Sequence, residues 1–173
     1  VGSQTAGFSL VNAPLYAGRI EQILGSTELL LENTEEIQAD ATTACYLEVL
    51  DGSHAGHRLE IISLAAGRAA LDLESPLSTL TELPQDLIGA RVVVRPHVTL
   101  AQAFPPAVFQ AAAVAKAADQ VLFYESGAWH VHWLNGGRQW VSANDTTQAS
   151  QNAKIIPPGT GLMVKTAGNA KAA

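Results

Sequence analysis

The feature that most constrains this chain is a period-two alternation cut at short intervals by glycine and proline. It is clearest from Ala44 onward, where Cys45, Leu47 and Val49 alternate with Tyr46, Glu48 and Leu50. That is the period of a half-buried strand. Asp51-Gly52 and Ala55-Gly56 bracket a turn, His57 to Ile62 returns, Ala65-Ala66-Gly67 turns again, and Arg68 to Leu73 completes a three-stranded meander. No long helix survives punctuation this dense.

The chain turns on Ala90 to Pro106 (ARVVVRPHVTLAQAFPP). Ile88 to Arg95 is a strand whose valine run predicts burial on both faces. Thr99 is placed to cap a turn over Leu100 to Phe104. Before this stretch, Phe8 to Leu15, Tyr16 to Leu24 and Glu28 to Leu31 are predicted strands, and Glu32 to Ala41 is an acidic connection. Thr79-x-x-Glu82 has capping-box spacing and predicts one helical turn before Pro84.

After the stretch, Ala107 to Ala118 (AVFQAAAVAKAA) is rich in the best helix former and is expected to be a helix, with an insert as the alternative. A second run of strands follows at Gln120 to Glu125, Ala128 to Leu134, Arg138 to Ser142, Lys154 to Ile156 and Gly161 to Thr166. Asn135-Gly136 between two alternating runs is a strong hairpin signal. About eleven short strands, with turn signals every 8–12 residues or so, predict an all-β antiparallel sandwich or barrel-like fold with one or two short helices. The expected organisation is a β-unit over 1–106, the alanine-rich piece at 107–119 and a β-meander over 120–173, packed as one domain.

Composition narrows the partners. Only 15% of the residues are charged, against 47% apolar. An ordinary chain carries about 25% charge, so part of this surface is expected to be covered by another chain. The net charge of −6, with lysine and arginine scattered, argues against nucleic acid. No apolar run approaches the ~20 residues needed to span a bilayer. Cys45 is the only cysteine, which excludes an internal disulfide. It reads as a buried, inert thiol, with an intermolecular disulfide as the alternative.

Motif by motif, the quoted segments resemble a known family. These are Tyr46–Val49, Gly52-Ser53-His54-Ala55-Gly56, the Leu71-Asp72-Leu73 strand, Val92–Pro96 running into Thr99-Leu100-Ala101, and Phe104-Pro105-Pro106. Asp119-Gln120-Val121-Leu122-Phe123-Tyr124 and Ile156-Pro157-Pro158-Gly159-Thr160-Gly161-Leu162 extend the match, so that it covers the chain from about Gly7 to Val164. Together they resemble an uncharacterised family of exported bacterial β-proteins, familiar from Verrucomicrobia. The resemblance implies an exported location and no activity. One departure is His97-Val98, where the family tends to be aromatic.

Candidate sites are few. His130-x-His132 lies on a strand, which puts both imidazoles on one face and Trp129, Val131 and Trp133 on the other. Two such imidazoles can ligate zinc or copper if a third ligand is near, with His54, His57 and His97 available. The blander reading is a solvated histidine face opposite an aromatic core. Trp129, Trp133 and Trp140 fall in one hairpin and could stack on sugar rings, or fill a core. The Asp51 and Asp145 loops are weak matches to a calcium site. Asn144-Asp145-Thr146 is a glycosylation sequon. No nucleophile elbow, HExxH or P-loop pattern is present, so the expectation is a non-enzymatic protein without a cofactor. A pair of acids brought together in space leaves no mark in sequence.

The functional expectation is a secreted or cell-surface structural protein that binds copies of itself in a fibre or surface layer. Val1 to Ala13 is free of charge and alternates. Phe8, Leu10 and Asn12 are the donor-strand residues expected to add to a neighbour's sheet edge. The alternative is a carbohydrate-binding module using Trp129, Trp133 or Trp140.

Overall fold

The computed structural model describes residues 3–5, 11–33 and 43–168, the first three by their backbone alone. The protein is mainly β and antiparallel, as expected. The chain divides into two units, one comprising Val11–His97 and the other Val98–Ala173 together with Val1–Leu10. The division falls at His97.

Strand β1 (Ser3–Thr5) belongs to the second unit. The first unit contains β2 (Tyr16–Ile23), β3 (Glu28–Leu31), β4 (Cys45–Val49), β5 (Arg58–Ala65), β6 (Arg68–Asp72) and β7 (Arg91–Pro96). They close into a six-stranded barrel in the order β2-β3-β6-β5-β4-β7. Leu47 pairs with Leu59 on one side and Val94 on the other, and all three are fully buried. Ile20, Leu29, Val49, Leu71 and Val92 fill the same interior. Register shifts between Ile20 and Gln22, and between Ile61 and Ser63, are the bulges that bend a sheet toward closure. The second bulge turns Ile62 outward, to 68% exposure. Val92, Val93 and Val94 are all buried, as the valine run predicts.

The second unit contains β8 (Val98–Thr99), helix α1 (Leu100–Ala103), β9 (Gln120–Glu125), β10 (Ala128–Leu134), β11 (Trp140–Ser142), β12 (Ile155–Ile156) and β13 (Gly161–Lys165). Its main sheet has five strands in the order β1-β13-β9-β10-β11, and β8 pairs with β12. Its core is built from Leu100, Phe104, Val121, Phe123, Leu134, Trp140, Ile156 and Leu162. Thr99 caps α1 as expected: its hydroxyl accepts from the Gln102 amide, and the Gln102 side chain accepts from the Thr99 amide at 2.9 Å.

Three local expectations fail for identifiable reasons. The alanine-rich segment is not a helix but two 3₁₀ turns, Pro106–Val108 and Ala115–Ala117, joined by extended chain. Arg138 Nη2 donates to the carbonyls of Pro106, Ala107 and Phe109 at 2.7, 3.0 and 3.3 Å, taking acceptors that a helix would use itself. Phe109 packs on Phe104 and Trp140. Tertiary contacts thus override propensity.

Thr79 caps no turn. Its hydroxyl accepts from the Arg58 amide at 2.8 Å and its own amide donates to the Arg58 carbonyl, so it extends the β5 ladder. The helical turn appears later, at Gln85–Leu87. The Asn135 hairpin forms as expected, with Leu134 opposite Trp140, although its left-handed residue is Arg138 (φ 56°) rather than a glycine, and Asn135 Oδ1 accepts from the Gln139 amide. Ser126 and Gly127 likewise form the expected tight hairpin, both with positive φ. Residues 11–15 form no strand; Phe8 and Leu10 lie outside the described residues.

Candidate functional site

The β9–β10 pairing decides what each face of the second unit carries. His130 stands opposite Phe123 and His132 opposite Val121, while Trp129 stands opposite Tyr124, Val131 opposite Leu122 and Trp133 opposite Gln120. Since Val121, Phe123 and Leu134 belong to the core, the histidine face is the core face. This reverses the expectation of a solvated histidine face behind an aromatic core.

His132 is accordingly buried, with its ring edge-on to Phe123 at 5.3 Å. Burial pushes its pKa below the ordinary histidine value, and the nearby Lys154 ammonium adds to the shift; Glu125 partly opposes it. Lys154 pairs with Glu125 at 3.1 Å and sits 5.9 Å from the Phe123 ring centre. A resident ammonium opposes a second cation on His130 and His132. Among the described residues no three of His, Cys, Asp and Glu are grouped to hold a metal.

The three tryptophans separate. Trp140 is fully buried and donates its indole N–H to the Phe104 carbonyl at 2.8 Å. Trp133 is buried with Ala118 and Val141. Only Trp129 offers its ring to solvent, at 45% exposure, and its neighbour is Tyr124 at 51%, with ring centres 5.3 Å apart. Gly161 lies on the other side of Tyr124, so no side chain walls off that flank. Tyr124 was not singled out from sequence, although its alternation with Val121 and Phe123 already assigned it to the opposite face.

The edge of the same sheet is closed by β1. Ser3, Gln4 and Thr5 pair with Lys165, Val164 and Met163. Asn12, in contrast, is tied to the barrel unit: its side-chain amide donates to the His97 carbonyl at 3.0 Å, and its own carbonyl accepts from Arg95 at 2.8 Å. The Asn144 sequon lies on an exposed loop. Asp145 beside it is saturated by Thr147 and the Ala149 amide, which hold its carboxyl below the usual carboxylate range. Asp51 is likewise taken by the amide and guanidinium of Arg91.

Two clusters in the barrel unit were not predicted. On its outer face, His97 Nε2 donates to both oxygens of Glu60 at 3.0 and 2.8 Å, with the Tyr46 ring 5.0 Å away. His97 and Tyr46 are buried, and Nδ1 of the former and the hydroxyl of the latter make no hydrogen bond among the described residues. The adjacent Cys45 faces the interior. Burial and the Glu60 charge push its thiol up to about 11, the reverse of an activated nucleophile.

On the loop between β4 and β5, Ser53 donates to Asp86 Oδ2 at 2.6 Å and His54 Nε2 to Asp86 Oδ1 at 2.9 Å. A serine triad needs histidine between serine and acid. Here the acid stands in the middle, so Ser53 gains no base.

Compared with protein-family models, curated proteins and solved structures, the chain matches none.

Proposed function

We propose that the chain is a non-enzymatic, exported β-protein that associates with copies of itself, as the subunit of an extracellular fibre or surface layer, by exchanging its N-terminal strand. The observation that carries this reading is the pairing of β1 with β13. A three-residue strand closes the edge of a five-stranded sheet, and its partner lies at the far end of the sequence. So short a ladder holds its place with few hydrogen bonds. When it leaves, β13 presents an open edge that the same segment of another copy fits in the same register. A head-to-tail contact of this kind does not close on itself and propagates. Asn12, anchored to Pro96 and His97, marks where the exchanging segment ends and the fixed body begins. The low charge of the chain, 15%, fits a surface covered by a neighbour.

The test is to join the Thr5–Met163 pair as cysteines. Exchange yields disulfide-linked ladders on a non-reducing gel and regular filaments or sheets in electron micrographs. A chain lacking residues 1–13 keeps its β circular dichroism and stops assembling. Intrachain bonds alone, or a truncated chain that still polymerises, overturn the reading.

A second reading, glycan binding, is supported by the exposed Tyr124–Trp129 pair beside Gly161. It requires polysaccharide to quench or shift the Trp129 emission, and Trp129→Ala to remove the response. Silence across a glycan panel removes it.

A further inference from the structure

We propose that His54 and His57 form a two-imidazole site for a late first-row transition-metal ion, Cu²⁺ before Zn²⁺, on the β4–β5 loop. The site belongs to the barrel unit and does not depend on how the chain associates.

The loop is built to hold the two rings together. The His57 amide donates to the His54 carbonyl at 3.1 Å, and a glycine with positive φ precedes each histidine, Gly52 before His54 and Gly56 before His57. The Gly56 amide returns to the Val49 carbonyl at 2.8 Å, which closes the loop onto β4. The ring centres stand 5.8 Å apart. A metal bound through a ring nitrogen at about 2.0–2.1 Å lies about 3.2 Å from that ring's centre, so two rings on one ion are about 4.5 Å apart at a right angle and about 6.4 Å apart when opposed, a range that brackets the observed spacing.

Each ring also has its proton placed by a neighbour. The Asp86 carboxylate accepts from the Ser53 hydroxyl at 2.6 Å through Oδ2, and its Oδ1 lies 2.9 Å from His54 Nε2. It can only accept, so His54 Nε2 carries the hydrogen and Nδ1 the lone pair. The Thr79 hydroxyl donates to the Arg58 carbonyl at 3.2 Å. With that hydrogen on the Arg58 carbonyl, the Thr79 oxygen, 3.1 Å from His57 Nδ1, accepts from it and the Nε2 lone pair is left for a ligand. A carboxylate or hydroxyl on the far nitrogen is how proteins orient a metal-binding imidazole and raise its basicity. Imidazole pairs favour copper over nickel and zinc. Water or a donor from outside the chain takes the remaining positions.

The experiment is a calorimetric titration of the untagged full chain with Cu²⁺ alone, then with Zn²⁺ alone, in a non-coordinating buffer at pH 7.5. The expected result is saturation at one Cu²⁺ per chain, with Zn²⁺ binding more weakly. His54→Ala and His57→Ala should each weaken Cu²⁺ at least tenfold, and Asp86→Asn about tenfold. His130→Ala should bind as the parent does. Circular dichroism of each variant verifies the fold. The proposal is overturned if the parent shows no saturable binding, or if the double variant lacking both histidines retains the parent's affinity. An Asp86→Asn chain that binds unchanged overturns the orienting role.

Discussion

The Tyr16 phenol lies over Gly18, in the space that a β-carbon at that position would need, and donates its hydroxyl hydrogen to the Glu32 carbonyl at 2.6 Å. Gly18 is thus required by the ring two residues before it, which is itself buried against the barrel core. Gly18→Ala should expel the ring and destabilise the protein by about 1–3 kcal/mol, the usual range for overpacking. The same substitution in a Tyr16→Ala background should cost far less, because the two effects share one contact. Urea unfolding of the four chains checks this.

Glu60 and His97 form a pair with little access to water, at 15% and 4% side-chain exposure. Removing one partner leaves the other buried without its match. His97→Ala should lower stability by about 3 kcal/mol, and Glu60→Ala by a similar amount. The double substitution should cost less than the sum. Thermal or urea melts of the cycle measure the coupling.

His132 makes stability depend on pH in a definite direction. Its folded-state pKa lies below the ordinary value of 6.5, chiefly through burial. Above pH 6.5 both states are neutral and the histidine contributes no pH dependence. As pH falls below 6.5 the unfolded chain takes up the proton first, so stability drops until the folded pKa is passed. His132→Gln should remove this part of the acid sensitivity below pH 6.5. Urea midpoints for parent and variant across that window supply the difference; equal slopes would contradict the assignment.

Cys45 should resist thiol reagents in the native state. It is buried and its thiol is pushed up to about 11, so almost no thiolate is present at neutral pH. Labelling by an aromatic disulfide reagent should be slow at pH 7.5 and should speed up in step with urea unfolding. Fast labelling of the folded chain would place the thiol outside the barrel.

Local chemistry was legible in the sequence where it is set by neighbours in the chain. The β4–β5–β6 meander, the buried valines of β7, the Thr99 cap and the Ser126-Gly127 turn all follow from a few adjacent residues. The Thr79 motif looked equally good and failed, because Arg58, 21 positions away, offered a ladder to join. The candidate site was less legible. Of the three tryptophans in one hairpin, Trp133 and Trp140 are buried and Trp129 alone is exposed, beside Tyr124, which the sequence did not single out. The His54–Asp86 contact joins residues 32 positions apart, which no spacing rule detects.

The sequence by itself determined that the protein is β-rich, where its turns fall and which residues alternate, because strand period and turn conformation depend on adjacent residues. It did not determine which face of β10 points inward. Trp129 and Val131 are as apolar as a core requires, and the opposite face carries two histidines. The neighbouring strands decided it: Val121 and Phe123 are in register with those histidines, and Leu134 and Trp140 extend the same face. Burial of that combined surface outweighs the desolvation of His132. The tertiary structure alone likewise broke the alanine-rich segment into two 3₁₀ turns joined by extended chain and paired β1 with β13, since both depend on partners remote in sequence.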